Sequence, residues 1–172
     1  VRHSYKTGIS GTLIMTAGSK QMQGTVAIAS DHGGYDMKEA MKPVIEAAGL
    51  TVLDLGCNGP ESVDYPDFAD EMARALKDGR AVRGVLVCGT GIGISMAANR
   101  HGHVRAAVCH NSTTARLARA HNDANVLVLG GRILGLEVAK DCLATFLGTA
   151  FEGGRHRRRV AKFSTDVETE NA

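Results

Sequence analysis

The sequence lacks the features that mark several large classes of protein. It contains no tryptophan and only three tyrosines and four phenylalanines, so aromatic platforms for stacking nucleic-acid bases are scarce. Its apolar runs, such as residues 85–88 and 126–129, are far too short to span a bilayer. Its four cysteines are widely spaced and form no CxxC pair, which argues against a disulfide framework or a zinc knuckle. These absences indicate a protein of the reducing cytoplasm that neither crosses a membrane nor stacks on bases.

Size and composition favour one α/β domain. The chain has 172 residues, 44% of them hydrophobic, and 21 glycines, which is enough for one substantial core but not for a second full domain. The formal net charge of +2 hides an uneven distribution, because residues 155–159 read Arg-His-Arg-Arg-Arg. Only this cluster calls for an anionic partner.

The first 24 residues do not follow the pattern of the rest. Arg2 and Lys6 precede a weakly apolar stretch, as in a signal peptide, but Gly8 and Ser10 dilute that stretch. We expect residues 1–24 to be a leader that is disordered or not native, with Met15 or Met22 as alternative starts. Residues 25–172 are expected to form the single domain.

From residue 25 onward, short apolar runs alternate with amphipathic stretches and glycine-rich turns. The runs predict five strands, at 25–30, 51–55, 84–88, 105–109 and 125–129. Helices are predicted at 37–48, 68–77, after 93, at 112–121, at 136–147 and after 154. Because the strands are almost continuously apolar, we predict a doubly wound, Rossmann-like parallel sheet with helices on both faces.

Ligands of such sheets bind beyond the carboxyl ends of the strands. Polar and glycine-rich segments follow four of the predicted strands, at residues 31–34, 88–93, 109–111 and 130–132. The segment 89–93, Gly-Thr-Gly-Ile-Gly, opens a helix and can direct backbone N–H groups at an anion. It lacks the third glycine and the acidic partner of a dinucleotide fingerprint, and no Lys-Ser or Lys-Thr pair follows as in a P-loop.

Two side chains near these segments have two interpretations each. Cys88 ends a strand beside the glycine loop, where a thiolate is favoured, but a buried inert cysteine fits the same pattern. His121 closes a helix just before a strand, at the opposite end of the sheet on this reading. A histidine there can be a catalytic group or a simple helix cap.

Arg132, Arg155 and Arg159 offer guanidinium groups suited to phosphate. A solvated charged face and a nonspecific nucleic-acid patch are the alternatives, and the scarcity of aromatic residues argues against the second.

Six motifs occur together in a characteristic order, at residues 29–35, 64–66, 87–95, 97–99, 121–125 and 153–156. The set resembles the ribose-5-phosphate isomerase B family, which also includes galactose and allose 6-phosphate isomerases. The resemblance implies the doubly wound fold and an aldose-ketose isomerase that interconverts ribose 5-phosphate and ribulose 5-phosphate in the pentose phosphate pathway. It also implies no cofactor, no metal, and a homodimer or homotetramer with shared active sites, without nucleic acid or membrane partners.

The resemblance assigns roles to individual residues. The base is a cysteine before the loop or a glutamate within it, and since Ile94 stands at the glutamate position, Cys88 is expected to be the base. His121 is expected to open the sugar ring, its helix end bending to the site or meeting it across a dimer, and Thr90 to orient the thiol. The expected substrate-binding residues are Asp31, His32, Tyr65, Gly89, Thr90, Gly91, Ile92, Gly93, Asn122, Arg132, Arg155 and Arg159.

Within this set, the loop N–H groups are expected to stabilise the enediolate. His32 and the three arginines are expected to bind the phosphate, with Arg155 and Arg159 reaching the partner subunit's site. Two alternatives stay open: a 6-phosphohexose such as allose or galactose 6-phosphate as substrate, or a noncatalytic flavodoxin-like module that binds a phosphorylated ligand.

Overall fold

The structure, a computed structural model, describes residues 14–15 and 22–163. Two short strands, β1 (Ile14–Met15) and β2 (Met22–Gln23), pair antiparallel before the domain begins. Most of the predicted leader, residues 1–13 and 16–21, lies outside the described residues, as do residues 164–172.

The centre of the molecule is a five-stranded, all-parallel sheet. Its strands are β3 (Thr25–Ser30), β4 (Thr51–Asp54), β5 (Arg83–Cys88), β6 (Ala106–Val108) and β7 (Val126–Gly130). They lie in the order β4-β3-β5-β7-β6, which confirms the predicted doubly wound sheet. The chain reverses its direction of winding between β3 and β5, so the carboxyl ends of these two strands border the crevice where such folds bind ligands.

Helices cover both faces of the sheet. They are α1 (Tyr35–Ala47), α2 (Tyr65–Lys77), α3 (Ile92–Ala98), α4 (Ser112–Asn122), α5 (Leu136–Gly148) and α6 (Arg155–Val160). Helix α2 begins three residues before the predicted start. Pro66 is tolerated in its first turn, because a backbone N–H there would have no hydrogen-bond partner within the helix. No helix within the described residues is both long and apolar enough to cross a membrane.

Alternate strand residues supply two separate cores. Val26, Val85 and Leu127 pack with α1, α4 and α5 on one face, whereas Ala27, Leu86 and Val128 pack with α2 and α3 on the other. This alternation is what a pleated strand buried on both faces requires. It directs the side chain of Cys88 to the α2 and α3 face.

An ion pair with a buried lysine joins α1 to the edge strand β4. The side chain of Lys38 is 1% exposed, and its Nζ donates to both carboxylate oxygens of Asp54 at 2.8 Å and lies 3.0 Å from Glu39 Oε1. Burial alone would raise the pKa of Asp54, but hydrogen bonds from Lys38 and the Gly56 N–H outweigh it and hold that pKa below its ordinary value. Lys42 reaches the same carboxylate at 2.9 Å from a more exposed position.

Asp54→Asn is expected to lower the free energy of unfolding by about 3 kcal/mol at neutral pH, because it leaves the Lys38 charge buried with only Glu39 beside it. The lowered pKa means that the ionised Asp54 stabilises the fold above the unfolded-state pKa of about 4 and loses this effect as the pH falls through the folded-state pKa. Urea unfolding should therefore show the difference between variant and parent shrinking below about pH 4.

Lys42→Met, which removes an exposed partner of the same carboxylate, should cost under about 1 kcal/mol and serves as the control. A destabilisation by Asp54→Asn that is independent of pH would contradict the assignment.

Candidate active site

Three loops converge at the carboxyl end of the sheet, and glycines allow their backbones to touch. A Cβ on Gly34 would lie 2.6 Å from the carbonyl oxygen of Val87, and one on Gly131 would lie 2.7 Å from that of Gly33. The Gly131 N–H donates to the Cys88 carbonyl at 2.8 Å, which joins the ends of β5 and β7. Each of these contacts leaves no room for a side chain, so the site is held by backbone packing.

Cys88 lies at the point where the loops meet. Its side chain is 4% exposed. Gly91 adopts a positive φ of 81°, which turns the loop back so that the Gly91 N–H donates to Cys88 Sγ at 3.1 Å. A backbone dipole directed at the sulfur stabilises negative charge on it. The exposed hydroxyl of Thr90 accepts a hydrogen bond from the Ile92 N–H at 3.2 Å, at the start of α3.

Acidic and imidazole groups stand beside the glycine loop. Asp31 is 7% exposed and accepts from the Gly34 N–H at 3.0 Å. His32 Nδ1 accepts from the Val63 N–H at 3.3 Å. This bond places the proton of the neutral imidazole on Nε2, which is then free to donate to a ligand.

Two longer side chains cover the loop. Tyr65 packs so closely on Gly93 that a Cβ there would lie 2.7 Å from its ring. Arg132 extends across Gly89, with its Cδ 3.5 Å from the position of a Cβ, and its own N–H donates to the Gly89 carbonyl at 2.9 Å. One chain therefore brings Asp31, His32, Tyr65, residues 88–93 and Arg132 to a single end of the sheet.

The remaining predicted site residues form a second cluster. His121, in the last turn of α4, stacks on His156 of α6, with ring centroids 4.3 Å apart and planes at 6°. Glu152 Oε2 lies 3.7 Å from His121 Nε2 and 4.0 Å from His156 Nε2. Burial, then the positive charge of His121 and the neighbouring arginines, lowers the pKa of His156, so that ring is neutral near pH 7. Arg155 Nε lies 3.5 Å from His156 Nε2, and exposed Arg159 follows one turn later.

The two clusters lie at opposite ends of the sheet. Helix α4 starts after the carboxyl end of β6, and its 11 residues cover about 16 Å before Asn122 ends it near the start of β7. His121 and Asn122 are therefore at the amino end, and Cys88 is at the carboxyl end. The structure does not unite the predicted acid and base within one chain.

Two residues of the second cluster carried no role in the sequence analysis. Glu152 and His156 are four residues apart, but Gly153 and Gly154 interrupt the helical pattern that would have signalled their contact. The ligand atoms of His121, Glu152 and His156 lie within 4.8 Å of one another, and these residue types bind Zn²⁺. Because imidazole binds a metal in the plane of its ring, two parallel stacked rings cannot share one ion until one of them turns.

The other cysteines differ from Cys88. Burial raises the pKa of Cys109 to about 11, and its thiol lies 3.6 Å from the Ala107 carbonyl. Burial also raises the pKa of Cys142. Cys57 contacts Ser30 Oγ and the Gly59 carbonyl. Among the described contacts, only the sulfur of Cys88 accepts a backbone N–H.

This geometry defines a class: a doubly wound α/β protein with a thiol, a glycine loop, an imidazole and a guanidinium at the switch point of its sheet. The sequence matches the Ribose/Galactose Isomerase family over residues 26–163, and the chain belongs to that family of isomerases. The predicted family and fold are therefore confirmed.

Individual relatives support the same assignment. Ribose-5-phosphate isomerase B of Escherichia coli is 40% identical over 146 residues, which cover 85% of this chain and 98% of the E. coli protein. D-erythrulose-4-phosphate isomerase of Pectobacterium atrosepticum is 40% identical over 139 residues, covering 80% and 91%. The solved structure of ribose-5-phosphate isomerase B from Clostridium thermocellum is 50% identical with a TM-score of 0.80, covering 81% of this chain and 95% of that one.

Proposed function

We propose that the protein interconverts ribose 5-phosphate and ribulose 5-phosphate through an enediolate, in the cytoplasm. The hydrogen bond from the Gly91 N–H to Cys88 Sγ carries this proposal, because it prepares a thiolate at the switch point of the sheet. The names of the E. coli and C. thermocellum relatives support the substrate. Four unpaired thiols support a reducing compartment.

Cys88 is the base in the proposed mechanism. Its thiolate removes the proton from C2 of the open-chain aldose and returns it to C1, while the hydroxyl proton on the C2 oxygen passes to the C1 oxygen, which gives the ketose. Negative charge develops on the oxygen at C1 during this transfer, and the loop of residues 89–93 supplies backbone N–H dipoles to stabilise it. Burial of Cys88 shields the enediolate from bulk water.

His121 opens the furanose ring by protonating its oxygen. Neutral His156 stacks on His121 and restricts its rotation, and the Glu152 carboxylate stabilises the charged form of the pair. Asp31 and Tyr65 hold the sugar, and Asn122 bonds a sugar hydroxyl. The Thr90 hydroxyl rotates away from the Ile92 N–H and orients the thiol. No step requires a metal or a nucleotide.

The phosphate is bound by groups from both clusters. His32 donates from Nε2 and Arg132 lies over the glycine loop, whereas Arg155 and Arg159 belong to the amino-end cluster with His121. A complete site therefore needs two chains, each of which supplies its Cys88 cluster to one site and its His121 cluster to another. Twofold symmetry builds two such sites in a homodimer. A homotetramer of two such dimers meets the same requirement.

A second substrate is favoured by one observation. The P. atrosepticum relative, named for D-erythrulose 4-phosphate, has the same 40% identity to this chain as the E. coli ribose-5-phosphate isomerase B. Isomerisation of allose or galactose 6-phosphate uses the same proton transfer on a longer sugar. All of these reactions need the same thiol and phosphate groups, and they differ in the length of sugar held between them.

Initial rates measured with excess EDTA on ribose 5-phosphate, D-erythrulose 4-phosphate, allose 6-phosphate and galactose 6-phosphate should be highest for ribose 5-phosphate. Because the mechanism uses a thiolate and not a metal, EDTA should leave the rate unchanged. Turnover of another sugar alone would reassign the substrate. Absence of turnover on every sugar phosphate would favour the noncatalytic binding module.

Cys88→Ser should lower the rate about 10²–10⁴-fold in both directions, since a hydroxyl ionises far less readily than a thiol of the same shape. Incorporation of deuterium from solvent at the transferred carbon should fall equally. Cys109→Ser, directly after the edge strand β6, is the matched control and should retain parental rates. Deuterium exchange by Cys88→Ser at the parental rate would show that Cys88 is not the base.

Mixing subunits tests whether sites are shared. Cys88→Ser and His121→Ala should each be nearly inactive on ribose 5-phosphate, but refolding the two together should restore about a quarter of the parental activity. Half of the dimers are then mixed, and each mixed dimer has one intact site out of two. Each variant refolded alone is the control. If both groups acted from the same chain, the mixture would stay inactive.

A further inference from the structure

A cavity lies at the amino end of the sheet, away from Cys88. Its volume is about 740 Å³, within the range of small-molecule sites. The end of α2, the start of β5, the end of α4 and the segment after α5 form its walls. None of the residues given roles in the isomerase mechanism lines it.

Arg83 is the buried cation of this cavity. It is 8% exposed, and its Nη1 donates to the carbonyls of Phe146 at 3.0 Å and Leu147 at 2.8 Å, which are neutral acceptors at the end of α5. No carboxylate in the described part of the chain pairs with it. Burial, together with the charge of Arg119, lowers the pKa of Arg83 to about 10. A buried guanidinium without a counterion is costly, and an anion in the cavity would stabilise it.

The cavity carries an excess of positive charge. Asp123 is the only carboxylate among the described lining residues, and both of its oxygens are engaged, by Arg119 Nη1 at 2.8 Å and Arg105 Nη2 at 3.1 Å. Lys77 also lines the wall, so four cationic side chains face one carboxylate. Asp123 therefore pairs with two arginines, and it forms no direct ion pair with Arg83.

The cavity is separate from the His121 cluster. Arg119 and Asp123 are four residues apart and share one side of the end of α4, whereas His121 points to a different side of the helix. Phe151 and Leu76 add apolar surface next to the cations. A ligand that fits this wall has an organic part as well as negative charge.

We propose that this cavity binds a small phosphorylated metabolite with at least two negative charges, at a site distinct from the isomerase site. Guanidinium groups recognise phosphate through paired hydrogen bonds, and Arg83 and Arg105 both line the cavity. Occupancy supplies the counterion that Arg83 lacks.

Calorimetric titration with inorganic pyrophosphate tests the site in the full chain carrying Arg132→Ala, Arg155→Ala and Arg159→Ala. This background removes the arginine contacts proposed for the substrate phosphate, so binding that depends on Arg83 or Arg105 reports on this cavity and not on His32. We expect one site per chain. Adding Arg83→Gln or Arg105→Gln should weaken binding by roughly tenfold to a hundredfold, the loss of a charged hydrogen bond.

Lys77→Gln removes an exposed cation of the same wall and should weaken binding even if Arg83→Gln fails to fold. Arg100→Gln is the matched control, because Arg100 is exposed and outside the cavity. No binding in the triple variant, or equal affinity in Lys77→Gln, Arg105→Gln and Arg100→Gln, would overturn the proposal. Neither result depends on isomerase activity.

Discussion

Direct packing of backbone on backbone at the carboxyl end of the sheet is the constraint on which the candidate site depends. Gly34 approaches Val87, and Gly131 approaches Gly33, at distances that admit no Cβ. These approaches hold the ends of three strands together around the loop in which the Gly91 N–H donates to the sulfur of Cys88. Because the contacts are between main-chain atoms, the geometry of the thiol does not rely on side-chain rotamers, which a substrate could displace.

The same fold that assembles this cluster separates it from His121. A helix that returns from one parallel strand to the next must end near the amino end of the sheet. His121, in the last turn of such a helix, is therefore one helix length from Cys88, which ends a strand. The proposed sharing of sites between subunits rests on this separation, because a second chain could supply His121 to the Cys88 of the first.

The sequence predicts most of the fold, since signals within a few residues determine it. The apolar runs predict all five strands, and Gly49, with a positive φ of 80°, ends the first helix as expected. Cys88 and its loop are predicted as neighbours because they are adjacent in the chain. The contacts between distant segments are not predictable in this way. Lys38 with Asp54 and His121 with His156 depend on how elements pack, and no local pattern indicates them.

Positive charge is distributed unevenly between the two ends of the sheet. A net charge of +2 suggests a nearly neutral surface, but positive groups collect at the amino end, in α6 and around Arg83. A dianionic sugar phosphate is attracted to such a region before it makes any contact. In the proposed dimer with shared sites, the arginines of α6 would reach the glycine loop of the other chain and face the phosphate of the substrate. The arginines around Arg83 lie on another side of α4, so their positive charge needs a separate anion.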